Sequence, residues 1–262
     1  MDLEIPVFKT DKELFDYLVE KEDEIIYAKK QSFKKADGFM FMPVATKSFG
    51  LASKAVDLLK QESFKANLVI NTTNLLDSHG DVHIKGLWDK SLKENKNLKH
   101  LREHRMAFDS IIADKNDLDV YVKDYLWREL GYEAEGKTQA LVFNSTIKRE
   151  RNEYMHEQYA KGNVDQHSVG MRYVKIVTCI NDEDYGAQFE AWEKYAPMVA
   201  NKSELEARKW FWAITEAKAI EGSAVPMGSN FVTPTISIKQ ETKNTLAENK
   251  ELIAIKNWLS IK

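Results

Sequence analysis

One serine stands at the head of a predicted strand, where a rigid backbone could hold it as a nucleophile. The strand covers residues 166–177 and is rich in β-branched and aromatic side chains. Ser168 lies near its start, and a polar helix predicted at 149–161 precedes it and is ended by Gly162. A serine hydroxyl is a weak nucleophile until an adjacent base takes its proton. The chemistry of this chain therefore depends on whether a base and an acid can reach Ser168.

His104 is the expected base. A histidine has a reference pKa of about 6.5, so its imidazole can take a serine proton near neutral pH. His167 is adjacent to Ser168 in sequence, but neighbouring side chains of a strand point to opposite faces. We therefore expect His167 to face away from the hydroxyl as a packing or surface residue. His156 lies on the polar helix, where we expect it to be exposed to solvent.

Two glutamates compete for the place of the acid behind that histidine. A carboxylate would orient the imidazole and stabilise its charged form. Glu221 ends a predicted strand, next to Gly222, and Glu216 lies in the middle of that strand. The sequence pattern does not choose between Glu216 and Glu221 as the acid.

A metal site is the alternative chemistry for the same region. The five residues from His100 to His104 read H-x-x-E-H, and on a helix the two histidines could share a zinc ion with Glu103 as base. A third ligand on a downstream helix does not stand out. His79 and His83 have a glycine between them, which favours a loop. We expect no metal and no cofactor.

Composition excludes several classes of function. The 262 residues are 43% apolar and 30% charged, which is ordinary for a soluble globular protein. A net charge of −3 offers no basic surface for nucleic acid. The single cysteine, Cys179, excludes an internal disulfide and is expected to be a packed thiol. We expect no signal peptide, no membrane span and a cytosolic location, because no suitable apolar segment is present.

The order of elements predicts an α+β protein on an antiparallel sheet or barrel. A capping box at Thr10 starts a helix over Asp11–Glu20, and a second helix is expected to about residue 35. The insertion at 181–209 is predicted to be partly helical. Strands are predicted at 39–45, 66–71, 111–113, 118–126, 138–146, 166–177 and 210–219, with a short helix at 88–93. We expect an N-terminal helical appendage at 1–37, a main domain at 38–238 and a C-terminal tail with a helix at 239–262.

Four segments in order resemble the prohead, or capsid-maturation, serine proteases of tailed bacteriophages, which are distant relatives of the herpesvirus assemblin proteases. Residues 77–92 carry D-x-x-G-D followed by G-L-W-D-K-S-L, and residues 101–104 carry L-R-E-H. Residues 161–171 end in S-V-G-M, and residues 214–226 carry I-T-E and then I-E-G-S-A-V-P. The resemblance covers roughly residues 66–234.

The resemblance implies Ser168 as nucleophile, His104 as base and Glu221, or else Glu216, as acid. It implies a barrel-like antiparallel core surrounded by helices and makes the domain at 38–238 a protease domain. The expected substrates are segments of the phage scaffold and major capsid proteins, and the enzyme itself. The expected place of action is the procapsid in the host cytoplasm, and a homodimer or higher oligomer is plausible.

Two further expectations accompany this reading. Backbone N–H groups near Val169 and Gly170, with Arg172 as a weaker candidate, are expected to stabilise the oxyanion. The alternatives are a catalytically idle capsid scaffold or assembly protein on the same fold, with helical ends at 11–35 and 245–259 as interaction segments, and a zinc hydrolase.

Overall fold

The structure, a computed structural model, describes residues 5–32 and 55–240. Helices and strands are mixed along the chain, which confirms the α+β class. The helices are α1 (Asp11–Glu20), α2 (Glu22–Gln31), α3 (Ala55–Leu58), α4 (Asp89–Glu94), α5 (Glu153–Ala160), α6 (Gly186–Tyr195) and α7 (Lys202–Arg208). The strands are β1 (Ser63–Thr72), β2 (Asp81–His83), β3 (His100–Arg102), β4 (Ile111–Ala113), β5 (Leu118–Leu126), β6 (Lys137–Lys148), β7 (His167–Ile180), β8 (Trp210–Ala224) and β9 (Thr235–Gln240). The strand predicted at 39–45 and the C-terminal helix lie outside the described residues.

One sheet has four antiparallel strands in the order β5-β6-β1-β9. Its centre is the long β1–β6 pair, in which Leu68 lies opposite Phe143. Both side chains are fully buried. The strand β9, which follows Pro234, was not predicted.

The second sheet is built around β8. The long strand β7 runs antiparallel along one edge of β8, from His167 opposite Ala224 to Ile180 opposite Trp210. The short strands β2 and β3 pair in parallel with the other edge of β8, and β4 continues the sheet beyond β3. This sheet is mixed rather than purely antiparallel. Among the described strands no closed barrel is formed, so the predicted barrel-like closure is not found.

The two sheets pack face to face over the main apolar core. The sheets approach each other closely at Gly222 of β8, because a Cβ atom there would lie 2.6 Å from Phe143 and 2.9 Å from Ile70. Both of these side chains belong to the first sheet, so only a glycine allows the sheets to meet at this point. The packing of the two sheets therefore requires a glycine at position 222, between Glu221 and Ser223.

The N-terminal helices also pack onto this body. Thr10 caps α1 by accepting from Glu13 N, as the capping box predicts. Phe15 and Leu18 of α1 belong to the main core. From α2, Lys29 is buried and its Nζ lies 2.7 Å from Asp81 Oδ1. The segment predicted as an appendage thus shares the core of the main domain.

The predicted insertion at 181–209 is helical. Its helices α6 and α7 contribute Trp192 and Leu205 to a second apolar cluster, which covers Phe211 and Cys179 of the β7–β8 pair. Burial raises the pKa of the Cys179 thiol to about 12, so the thiol stays protonated. This agrees with the expected packing role of Cys179.

Candidate active site

His104 lies in an unusual turn directly after β3. Glu103 and His104 both have φ = +54°, in the left-handed region that costs an ordinary residue about 1–2 kcal/mol. Two backbone bonds hold the turn: Glu103 N donates to Ala224 O at 2.9 Å, and Arg105 N donates to Arg102 O at 3.1 Å. The turn carries the His104 backbone back across the end of β8.

His104 and Glu221 form a buried pair. His104 Nδ1 lies 2.5 Å from Glu221 Oε1, and the two side chains are only 3% and 1% exposed. A carboxylate can only accept hydrogen bonds, so Nδ1 carries the proton and Nε2 is the basic nitrogen of the neutral ring. Among the described residues Nε2 has no hydrogen-bond partner. The pair therefore presents an imidazole in the tautomer that a general base requires.

A β-bulge sets the direction of Glu221. Gly170 lies opposite Glu221 and Met171 lies opposite Ala219, so β8 has one extra residue, Ile220, at this step. In a regular strand without this bulge, residues 219 and 221 would share a face, and Glu221 would point into the core with Ala219. The extra residue turns Glu221 to the opposite face, where it meets His104.

Ser168 lies on the same face as this pair. It is directly opposite Ser223 in the β7–β8 ladder, and side chains of opposed residues share a face with Cβ atoms about 4.5–5.5 Å apart. Ser223 Oγ in turn accepts from His104 N at 3.0 Å. Ser168 is thus one cross-strand step from a residue that contacts His104. The Ser168–His104 hydrogen bond itself is not formed, and such bonds are often long before substrate binds.

The orientation of the backbone separates two candidate oxyanion donors. Val225 N donates to Gln166 O, which identifies a hydrogen-bonded pair of the antiparallel ladder. Such pairs alternate, so the N–H of Gly170 is directed to β8 and that of Val169 to the outer edge of β7. Arg172 lies roughly 13 Å along the strand from Ser168, at about 3.3 Å per residue. Of the expected donors, only Val169 has its N–H beside Ser168 and directed away from β8.

A narrow polar cleft lies at this outer edge. It is lined by Ile70, Asn71, Asp77, His79, His83, Ser168, Val169, Met171, Tyr173, Ser229 and Asn230. Burial, and next the charge of Asp81, raise the pKa of Asp77 to about 6. Ser168 and Val169 of β7 thus line the cleft together with Ser229 and Asn230 of the segment that follows β8.

A chain of hydrogen bonds fixes the polar groups of the cleft. Tyr173 Oη donates to Asp81 Oδ2 at 2.7 Å and lies 3.3 Å from His83 Nε2, which must then carry the ring proton. His83 Nδ1 is therefore the acceptor for Asn71 Nδ2, at 2.8 Å. Asp81 is also the carboxylate that binds Lys29, so the helix α2 supports this side of the cleft.

His167 faces away from Ser168, as predicted. Its Nδ1 donates to Thr233 O at 2.9 Å, so its Nε2 accepts from Tyr159 Oη at 2.9 Å. Tyr159 Oη accepts in turn from His100 Nε2 at 3.0 Å. Burial lowers the pKa of His167 to about 4 and that of His100 well below its usual value, so both stay neutral. The three side chains form a packed network under the sheet.

The geometry contradicts the zinc alternative. The helix that would place His100 and His104 on one side is replaced by the strand β3 and the left-handed turn. His100 Nδ1 lies 3.0 Å from Ser145 Oγ and its Nε2 bonds Tyr159. Within the residues described, no group of three or more His, Cys, Asp and Glu side chains could hold a metal ion.

Glu216 and His156 both lie outside the site formed by Ser168, His104 and Glu221. Glu216 binds Lys175 at 2.9 Å and Lys90 at 3.4 Å, far along β8 from the His104 turn. The prediction that His156 is exposed is wrong: the residue is fully buried, with its ring 4.7 Å from that of Phe64. The helix α5 turns this polar position toward the core.

Comparisons with known proteins return nothing. No protein-family model matches the chain. No curated protein and no solved structure matches it. In the described part of the chain, no helix is long and apolar enough to cross a membrane.

Proposed function

We propose that this protein is a serine endopeptidase of the prohead-protease type, with Ser168 as nucleophile, His104 as base and Glu221 as acid. The observation that supports it most is the buried 2.5 Å contact between His104 Nδ1 and Glu221 Oε1. It lies on the face of the sheet that carries Ser168. The three residues come from three separate segments, in the order that the family resemblance implies.

The proposed reaction is acyl transfer to the serine. Ser168 Oγ attacks the carbonyl carbon of the scissile peptide bond while His104 Nε2 takes the hydroxyl proton. The C–N bond then breaks as Nε2 returns that proton to the leaving amine. Water hydrolyses the acyl-enzyme by the same route. Glu221 stays ionised and stabilises the imidazolium that forms in each half-reaction.

The N–H of Val169 is the proposed donor to the oxyanion. It lies next to Ser168 and is directed to the outer edge of β7, and both residues line the cleft. One such donor contributes about 3 kcal/mol to lowering the barrier. In this proposal a second N–H or side-chain donor completes the oxyanion hole. It comes from a residue that lines the cleft, or it moves into place when substrate binds.

The biological role in this proposal is capsid maturation. The substrates are segments of the phage scaffold and major capsid proteins, and the enzyme itself. The proposed place of action is the procapsid in the host cytoplasm, where a homodimer or higher oligomer acts. The finer fold assignment, a relation to the herpesvirus-protease fold, belongs to the same proposal.

The test is co-expression with the scaffold and capsid proteins of the same phage. Ser168→Ala is expected to abolish their cleavage and any self-cleavage, as judged by mass spectrometry of the products. Ser203→Ala, at an exposed serine of α7, is the matched control and is expected to leave processing unchanged. Normal processing by the Ser168→Ala protein would overturn the proposal.

A catalytically idle assembly protein is the second candidate. The observation in its favour is that His104 Nε2 makes no hydrogen bond to Ser168 in this structure. That candidate predicts unchanged processing in Ser168→Ala, so the same experiment separates the two.

A further inference from the structure

Ser223 contacts both partners of the His104–Glu221 pair. Its Oγ donates to Glu221 Oε2 at 2.6 Å and accepts from His104 N at 3.0 Å. The hydroxyl has one proton, and a carboxylate can only accept, so the direction of both bonds is fixed. A single buried group thereby joins the carboxylate to the backbone of the base.

The carboxylate needs this second donor. Glu221 is 1% exposed, so water cannot solvate the oxygen that does not face His104. A buried carboxylate oxygen without a donor is costly, and a charged acceptor makes hydrogen bonds about twice as strong as a neutral one. The Ser223 hydroxyl supplies that donor to Oε2 and fixes the rotation of the carboxylate, so that Oε1 faces Nδ1.

The backbone N–H of His104 needs the acceptor that Ser223 Oγ provides. His104 and Glu103 are consecutive left-handed residues, and such a conformation persists only where its surroundings hold it. Glu103 N is held by Ala224 O, and His104 N is held by Ser223 Oγ. Without the hydroxyl, the second of these N–H groups would be buried with no acceptor on β8.

Ser223 cannot replace Ser168 as the nucleophile. It is fully buried, whereas Ser168, opposite it in the ladder, retains some exposure at 7%. The proton of Ser223 is directed to Glu221, not to the imidazole. Its contacts are with the acid and with the backbone of the base, not with a substrate.

We infer that Ser223 is a positioning residue of this site, which aligns the Glu221 carboxylate and the His104 turn through its two hydrogen bonds. This inference rests on the proposed serine-protease function. Ser223 acts only through its neighbours, so its loss slows the chemical step and leaves binding of the reagent or substrate nearly unchanged.

The test uses inactivation of the full-length protein by a fluorophosphonate, which forms a covalent bond to an activated serine. Its maximal rate, kinact, reports the chemical step, and its half-saturating concentration, KI, reports binding. Ser223→Ala is expected to lower kinact roughly 10- to 100-fold, the value of one hydrogen bond to a charged group, with KI within about twofold. Ser223→Thr keeps the hydroxyl and is expected to recover most of the rate. Ser223→Cys, with a weaker donor, is expected to lie between alanine and wild type.

Ser145→Ala is the matched control. Ser145 is also a fully buried strand serine whose hydroxyl contacts a histidine, His100, but that network lies on the other face of the sheet. Its loss is expected to lower stability without changing kinact. An unchanged kinact in Ser223→Ala, or an equal loss in Ser145→Ala, would overturn the inference.

The same labelling experiment distinguishes failure of the serine-protease proposal from failure of the positioning role of Ser223. If wild type is not labelled, or if Ser168→Ala is labelled equally, the serine-protease proposal fails. If labelling depends on Ser168 but not on Ser223, only the positioning role fails. A downfield ring-proton signal of His104 Nδ1–H in NMR spectra gives a second measurement: Ser223→Ala is expected to shift or broaden it, and Ser145→Ala to leave it in place.

Discussion

Replacing Glu221 by glutamine tests the acid more sharply than removing the serine does. The substitution keeps the volume of the side chain and removes its charge. The amide has one acceptor oxygen for two donors, His104 Nδ1–H and the hydroxyl of Ser223, which lie 2.5 and 2.6 Å from the present carboxylate oxygens. One donor therefore loses its acceptor in a site that water does not reach.

The magnitude follows from burial. His104 becomes positively charged when it takes the serine proton, and its partner is 1% exposed. Removing one member of a buried charge pair costs about 3–5 kcal/mol. Here that cost arises only when the imidazolium forms, so it raises the barrier by a similar amount. We expect the rate to fall roughly 10²- to 10⁴-fold.

The assay is the rate of fluorophosphonate labelling of the purified protein, with the melting temperature measured alongside. Glu216→Gln is the matched control, because Glu216 was the competing acid and binds Lys175 and Lys90 at the surface of β8. Its labelling rate should stay within about twofold of wild type. Labelling by Glu221→Gln within threefold of wild type would show that Glu221 is not the acid, as would an equal loss in Glu216→Gln.

Two further predictions concern the scaffold of the site. The pKa of Asp77 is raised in the folded protein to about 6 from 3.8, so its contribution to stability is greatest below pH 4 and is lost as pH rises through 6. Asp77→Asn should remove about 2–3 kcal/mol of this pH dependence, measured by urea unfolding at pH 4 and pH 7; identical pH profiles would contradict it. Gly222→Ala should cost about 1–3 kcal/mol and reduce labelling, because the new Cβ would lie 2.6 Å from Phe143. Gly186→Ala, whose Cβ meets nothing within 4 Å, is the control, and equal unfolding free energies for the two variants would count against the packing argument.

Parts of the site could be read from the sequence because they depend on local periodicity. A strand beginning near Ser168 and the opposite orientation of His167 both follow from the two-residue repeat of a strand, and both are confirmed. The same repeat failed to choose between Glu216 and Glu221. The choice depends on the extra residue at Ile220, and a bulge has no signature in the residues themselves.

Other features depended on tertiary contacts. The strands β2 and β3 have three residues each, too few for a period to be visible, and β3 was read as part of a possible helix. Its identity as a strand comes from pairing with β8, over one hundred positions away in the chain. His156 was expected to be exposed because its helix is polar, but α5 packs it against Phe64. The many short strands were compatible with an antiparallel sheet or a barrel, and the resemblance implied the barrel; closure depends on pairing between distant strands, which the sequence pattern does not show.

Two residues near the site had no distinguishing signal in a single sequence. Ser223 lies in the I-E-G-S-A-V-P segment at 220–226. Its two hydrogen bonds form only because the left-handed turn at Glu103 and His104 brings the base to it. Lys29 lies in a charged helix typical of a solvated surface, yet it is buried against Asp81 at 3% exposure. Both roles depend on segments that meet only in the folded chain.

The most direct test of the central claim is peptide mapping after treatment with a fluorophosphonate. We expect one covalent adduct, located on Ser168, that is absent from Ser168→Ala and reduced at least a hundredfold in His104→Ala. An adduct on another residue, or labelling of Ser168 that does not depend on His104, would contradict it.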